Sequence, residues 1–118
     1  MLDLSSRNRG QAGKQLIPDG VYNSIVIDVR WADGYNPKEA YEITYELTSE
    51  DGKVYRHHEI FKTDEKNKRT AAFENYLADN GIADLADFKG KREKLTIKRV
   101  EIGTREYANI VEREFIHD

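Results

Sequence analysis

The 118-residue chain is predicted to fold as a mainly β domain, a five-stranded Greek-key barrel with one α-helix. Three observations support this prediction. Five short segments have the alternation or composition of strands, and one segment with helical periodicity falls between the third and the fourth. Turn residues separate the segments, and the length is that of one domain with its own core.

The first strand is predicted over residues 21–31, after the turn Pro18-Asp19-Gly20. Its odd positions, from Val21 to Trp31, are mostly apolar and its even positions mostly polar, which predicts that the odd side chains face the core. Because Trp31 ends the strand, its ring is predicted either in the core or at the rim. Residues 32–38 are predicted as a loop, since Pro37 is incompatible with a central strand.

The second and third strands are predicted as a hairpin closed by Asp51-Gly52. The second strand has the clearest alternation, with Tyr41, Ile43, Tyr45 and Leu47 predicted to face the core. The third strand, 54–61, permits two orientations. In one, Val54 and Ile60 face inward and the opposite side chains form an outer stacking surface; in the other, Tyr55 and Phe61 fill the interior.

The helix is predicted over about 66–80, capped by Thr63 or Asp64 and ended by Asn80-Gly81. Its apolar face is predicted to hold Phe73, Tyr76, Leu77 and Asn80.

The fourth strand is predicted over 94–101, with Leu95 and Ile97 on one side. The fifth strand is predicted over 107–113, after the turn Gly103-Thr104-Arg105. Strands 1 and 4 are predicted to expose edges on which two copies could pair as a homo-oligomer.

Several functional classes are excluded or disfavoured by composition. The chain has no cysteine, which excludes disulfides and thiolate ligands and fits a cytoplasmic protein. No apolar stretch approaches the ~18 residues of a membrane span, so no membrane partner is predicted. His57 and His58 are adjacent on a strand and therefore face opposite sides, which disfavours a metal site. Without nucleophile or phosphate-loop motifs, no enzyme activity and no cofactor are predicted.

Charge is sorted by segment although the net charge is -3. Residues 53–69 hold six basic and three acidic side chains, and residues 89–105 hold seven and two. Residues 21–52 hold two basic and seven acidic side chains, and residues 70–88 hold none and four. Such a distribution can bind a polyanion on one face despite a negative total, although a mixed solvated surface is the alternative.

The basic segments are interleaved with aromatic residues, as in proteins that stack bases and neutralise phosphates of a single strand. The predicted nucleic-acid-binding residues are Trp31, Tyr55, His57, Phe61, Lys62, Lys66, Arg69, Lys98, Arg99 and Arg105. Burial is the competing explanation for the aromatic members, since the same rings can fill a barrel.

The order of three strands, helix and two strands is that of OB-type barrels, which commonly bind oligonucleotides. The stretches LIPDGVY (16–22), FKGK (88–91), LTI (95–97) and EYANIV (106–111) resemble small phage and mobile-element OB-fold single-stranded DNA-binding proteins. The resemblance covers about residues 16–113. It implies an accessory role in DNA replication or recombination, with little sequence preference and with a recombinase, helicase or primase as partner.

The chain is divided accordingly into a flexible N-terminal arm, 1–16, and an OB-like domain, 17–118. The arm carries Arg7, Arg9 and Lys14 and almost no apolar surface. The alternative function is a non-enzymatic OB module that recruits or inhibits a host or phage protein through its acidic face.

Overall fold

A computed structural model describes residues 17–32, 39–64 and 67–117; the predicted arm, most of the predicted loop after the first strand and Lys66 lie outside these ranges. The elements are β1 (Gly20–Trp31), β2 (Ala40–Thr48), β3 (Val54–Lys62), α1 (Lys68–Asp79), β4 (Arg92–Ile102) and β5 (Arg105–Ile116). A 3-10 turn, Leu85–Phe88, precedes β4. The prediction of five strands with one helix between the third and the fourth is confirmed.

The five strands form one antiparallel sheet in the order β3-β2-β1-β4-β5. Within the described ranges the sheet is not closed, and β3 and β5 are its edges. The prediction that strands 1 and 4 expose edges is wrong. β1 is the central strand because Asn23–Trp31 pairs with β2 on one side while Gly20–Ile25 pairs with β4 on the other.

The predicted inner face of β1 is wrong over its first half. Tyr22, Ser24 and Val26 are buried, whereas Val21 is exposed. The aromatic body of Tyr22 is apolar, and its hydroxyl donates to the carbonyl of Pro18, so a residue counted as polar is a core residue here. A β-bulge between Val26 and Asp28 then shifts the alternation by one residue.

The core lies between one face of the sheet and α1. The predicted inner faces of β2 and β4 are confirmed, and on β3 the second orientation holds, with Glu59 and Phe61 buried and Val54 and Ile60 exposed. The fully or largely buried hydrophobic side chains include Tyr22, Val26, Tyr41, Ile43, Tyr45, Leu47, Phe61, Phe73, Leu77, Phe88, Leu95 and Ile97.

The helix α1 begins at Lys68 with Asn67 as its N-cap, so the predicted caps are wrong. The Asn67 side chain accepts a hydrogen bond from the backbone N–H of Thr70 at 3.1 Å. Thr63 lies five residues before Lys68, and its backbone N–H still bonds to the carbonyl of Glu39 beside β2, so it continues the strand pairing. The predicted end is confirmed, with Gly81 at φ 84°.

The start of α1 covers part of the free edge of β3. Arg69 donates to the carbonyl of Ile60 at 2.9 Å, and the Thr70 hydroxyl donates to the carbonyl of Lys62 at 2.7 Å. Phe73 of the same helix stacks on Phe61 with ring centroids 4.2 Å apart. These contacts fix the helix against the end of β3.

Candidate nucleic-acid interface

β4 and β5 extend beyond the rest of the sheet as a two-stranded ribbon. Pairing between β1 and β4 ends at Gly20 opposite Ile97, whereas β4 and β5 remain paired up to Ile102 opposite Arg105. We refer to residues 98–109 as the ribbon. Its turn has Gly103 at φ 64°, a conformation that favours glycine. At its base, the Asp19 carboxylate accepts a hydrogen bond from the backbone N–H of Arg99 at 2.7 Å.

The ribbon has two chemically different faces, because residues directly opposite each other in an antiparallel pair share a face. One face carries the pairs Lys98–Asn109, Val100–Tyr107 and Ile102–Arg105, and the other carries Arg99–Ala108 and Glu101–Glu106. Within residues 98–109, both carboxylates therefore lie on the second face. We call the first, which has two cations and an aromatic ring, the cationic face.

Two of the three apolar side chains of the cationic face are exposed, and the third, Val100, is half-buried. Tyr107 is 44% exposed and Ile102 is 65% exposed, the largest value among the large hydrophobic residues of the described ranges. Lys98 and Arg105 are exposed as well. An accessible aromatic ring between exposed cations is the combination that single-strand binders use for stacking and phosphate neutralisation.

The predicted residue Tyr55 lies at the same end of the sheet, but in an acidic cleft. The cleft has a volume of about 610 Å³ and is lined by Tyr22, Tyr55 and the turn between β2 and β3. Asp19, Glu50 and Asp51 also line it, together with the cation Lys53. The Asp51 carboxylate accepts a hydrogen bond from the Ser49 hydroxyl, which lowers the pKa of Asp51. The excess of negative charge repels phosphate there.

The predicted residues Trp31, Phe61, Lys62 and Arg69 lie toward the opposite end of the sheet. Trp31 is 49% exposed, with its ring steeply inclined to that of Tyr41, so its position is the rim. Phe61 is only 1% exposed and has no free face for a base, since the Arg69 guanidinium lies 4.2 Å from its ring centroid. Arg69 also forms an ion pair with Glu59 at 3.1 Å. The structure therefore does not join these four residues to the ribbon.

The two adjacent histidines face opposite sides of β3, as predicted. The His57 ring is half-buried and stacks on Tyr45, and burial lowers its pKa. His58 contacts the Thr44 hydroxyl at 3.1 Å and the Glu42 carboxylate at 3.5 Å. Across the described ranges, His, Asp and Glu side chains form no group of three that could hold a metal ion.

The alternative function, binding of a protein partner, would depend on surface carboxylates. On β2 these carboxylates lie on the outer face of the strand. Glu42 is paired with Arg30 at 3.0 Å and with His58 on the neighbouring strand. Glu46 lies directly opposite Arg56 in the β2–β3 register. The negative charge of this surface is therefore offset locally by cations of the adjacent strands.

A buried ionic network connects the two edge strands across the open side of the sheet. The Arg113 guanidinium of β5 contacts Glu59 of β3, Glu93 of β4 at 3.1 Å and the Tyr45 hydroxyl at 3.1 Å. Tyr76 of α1 donates to Glu93 at 2.8 Å, and burial raises the pKa of Glu93. We call this set the seam network; it borders a cleft of about 350 Å³. Its polar groups are occupied by one another, which indicates a structural role.

Sequence reasoning missed Tyr107 and Ile102 because it treated the two strands separately. The pattern that identifies them is the hairpin turn at Gly103-Thr104, which places Ile102 opposite Arg105 and Val100 opposite Tyr107. Considering both strands in register assigns two of the three ribbon cations and the large apolar side chains Val100, Ile102 and Tyr107 to one face. The predicted cations Lys98 and Arg105 belong to that face, while Arg99 belongs to the other.

No protein-family model, curated protein or solved structure matches the chain. In the part of the chain that the structure describes, no helix has the length and apolar character needed to cross a membrane.

Proposed function

We propose that the protein binds single-stranded DNA with little sequence preference through the cationic face of the ribbon. The observation that carries this proposal is the placement of Lys98, Arg105 and Tyr107 on one exposed face, with both ribbon carboxylates on the other. Phosphates and the π-faces of bases are common to every sequence, so such a surface binds strands without recognising their bases. The sequence resemblance favours a role for this activity in phage or mobile-element replication or recombination.

The sheet topology supports an OB-like interpretation. The order β3-β2-β1-β4-β5 is the order expected of a five-stranded Greek-key barrel opened between β3 and β5. The seam network lies on this open side and joins Arg113 to Glu59 by side chains instead of backbone pairing. In OB folds the loop between strands 4 and 5 contributes to oligonucleotide binding, which is the position of the ribbon turn.

The proposed interface retains Lys98 and Arg105 of the predicted set and adds Tyr107. Trp31 and Lys62 lie at the other end of the sheet from the ribbon. β1 has 12 residues, so at about 3.3 Å per residue the two ends of the sheet are roughly 35 Å apart. Only a DNA strand long enough to cover that distance would contact Trp31 and Lys62 as well as the ribbon. Tyr55 is close to the ribbon end, but the carboxylates of its cleft keep the phosphate backbone away.

Fluorescence anisotropy with labelled oligonucleotides of equal length tests the proposed function. At low salt we expect dT30 and a mixed-sequence 30-mer to bind with affinities within a few-fold, and the matching duplex to bind more weakly because its bases are already stacked. Absence of binding to every 30-mer at low salt would refute the proposal. A preference for the duplex would refute single-strand binding while leaving the ribbon as a phosphate-binding surface.

A further inference from the structure

Ile102 and Tyr107 occupy adjacent rungs of the ribbon on the same face. Tyr107 lies opposite Val100, and Ile102, two residues farther along β4, lies opposite Arg105. The two side chains are therefore diagonal neighbours across the strand pair. Both are exposed, although an isolated apolar side chain of this size gains free energy by leaving water.

The spacing of the two side chains matches the thickness of a base. Side chains of a strand stand roughly perpendicular to the sheet, and diagonal neighbours are about 7–8 Å apart. Stacked bases of one strand are about 3.4 Å apart, so a base lying between two walls needs roughly twice that distance. A flat ring can therefore enter between the phenol of Tyr107 and the aliphatic side chain of Ile102.

Two cations lie on the same face, Arg105 beside this gap and Lys98 one cross-strand pair farther along the ribbon. Arg105 is directly opposite Ile102 and follows the turn, while Lys98 lies two residues before Val100 on the far side of Tyr107. A base between Tyr107 and Ile102 would therefore have Lys98 beyond Tyr107 and Arg105 beside Ile102. These two cations can reach the phosphates that precede and follow the bound nucleotide. The carboxylates Glu101 and Glu106 lie on the opposite face.

We propose that Tyr107 and Ile102 form a slot that takes one unpaired nucleobase, with Lys98 and Arg105 binding the flanking phosphates. This inference rests on the proposed function and deepens it, because it names the unit recognised, one unstacked base. A base within a duplex does not enter the slot, since its neighbours already occupy both of its faces. Little discrimination among the four bases is expected, because both walls contact the faces of a base, which are similar in all four.

The experiment combines a protein variant with a DNA variant. Affinities of wild type and I102A are measured by anisotropy for dT15 and for a 15-mer that is abasic at every position, which keeps the phosphates and removes all the bases. I102A is expected to bind dT15 roughly tenfold more weakly, because truncation to Ala removes one apolar wall from the bound base. For the abasic 15-mer, wild type and I102A are expected to bind equally.

Val111→Ala is the matched control, because Val111, on β5, is likewise an exposed apolar residue but lies outside the ribbon. It should bind dT15 as wild type does. Ile102→Leu, which preserves an aliphatic wall, should restore most of the affinity. Melting temperatures of all variants report whether the ribbon remains folded, and we expect them to be unchanged because Ile102 does not belong to the core cluster of the described residues.

Three outcomes would overturn the slot. The first is equal affinity of I102A and wild type for dT15. The second is the same decrease in affinity for dT15 and for the abasic strand, and the third is the same decrease for V111A. In each case wild-type binding to dT15 remains, so the proposed function survives. Absence of binding by the wild type to both oligonucleotides refutes the proposed function itself.

Discussion

Two charged regions of this molecule, the seam network and the ribbon, share the strand β5 and are organised in opposite ways. In the seam network Arg113 is 14% exposed and its guanidinium is surrounded by the carboxylates of Glu59 and Glu93. In the ribbon Arg105 is exposed, and the carboxylates lie on the other face. The same residue type thus holds two strand edges together in one place and remains accessible to a ligand in the other.

Desolvation explains the difference. A charge removed from water must be paired and hydrogen-bonded, because its solvation is lost and an unpaired ion in the interior is costly. A charge that stays in water can remain without a fixed partner and attract a polyanion, with a strength that depends on salt. Stability and binding are therefore expected to respond to different substitutions on the same strand.

The largest effect is expected from Arg113→Met. The substitution leaves Glu93 buried without its cation and leaves Glu59 with only the more exposed Arg69, and removing one partner of a buried ion pair costs about 3–5 kcal/mol. The free energy of unfolding measured in urea should fall by this amount. Arg105→Met is the matched control and should change it by less than about 0.5 kcal/mol, as is usual for a surface position.

Comparable stability of the two methionine variants would contradict the role of the seam network. If R113M still folds at low temperature, its affinity for dT30 at that temperature should stay within a few-fold of wild type, since Arg113 lies outside the ribbon. A decrease in binding by folded R113M exceeding that of R105M would place the DNA interface at the seam.

The next effect concerns the two tyrosines at the ribbon end. Tyr107→Ala should weaken binding of dT30 by about 1–3 kcal/mol, the range measured when one base-stacking ring is removed. Tyr55→Ala should change it little, because the Tyr55 ring packs against Tyr22 in an acidic cleft. The affinities of both variants for dT30 are measured by anisotropy titration, and melting curves confirm that both variants are folded. A larger decrease for Y55A would move the interface into that cleft.

The smallest effect is a pH dependence of stability that arises from His57. Burial lowers its pKa below the ordinary 6.5, so the folded protein keeps the ring neutral where the unfolded chain is protonated. Its contribution to stability is present above pH 6.5 and is lost as the pH falls below that value. Urea unfolding at several pH values should show a shallower acid-side decline for His57→Gln. An unchanged decline would mean that other groups cause it.

The sequence was sufficient to predict most of the architecture. Strand alternation identified the inner faces of β2 and β4, and Asn80-Gly81 identified the end of α1, because these depend on local periodicity and backbone conformation. The inner face of β1 was not predictable in this way. Tyr22 is buried through its ring and its hydrogen bond to Pro18, and the bulge after Val26 reverses the alternation.

The site was less predictable than the fold, because burial decides which aromatic and charged residues are accessible. Phe61 and Tyr107 are both aromatic strand residues near basic side chains, yet one is in the core and the other is exposed. The seam network joins Glu59, Glu93 and Arg113 from three different strands. Contacts at such separations follow from the tertiary structure and not from spacing along the chain.

The central claim is that the cationic face of the ribbon binds the phosphates of a single strand. The most direct test is the slope of log affinity for dT30 against log salt concentration, measured for wild type, K98E/R105E and K89E/K91E. The last variant makes the same change in charge before β4, at the end away from the ribbon. We predict that K98E/R105E binds much more weakly and that its slope is flatter by about 0.7 for each phosphate that the variant no longer neutralises, while K89E/K91E stays close to wild type. Equal decreases of affinity and slope in the two variants would contradict the claim.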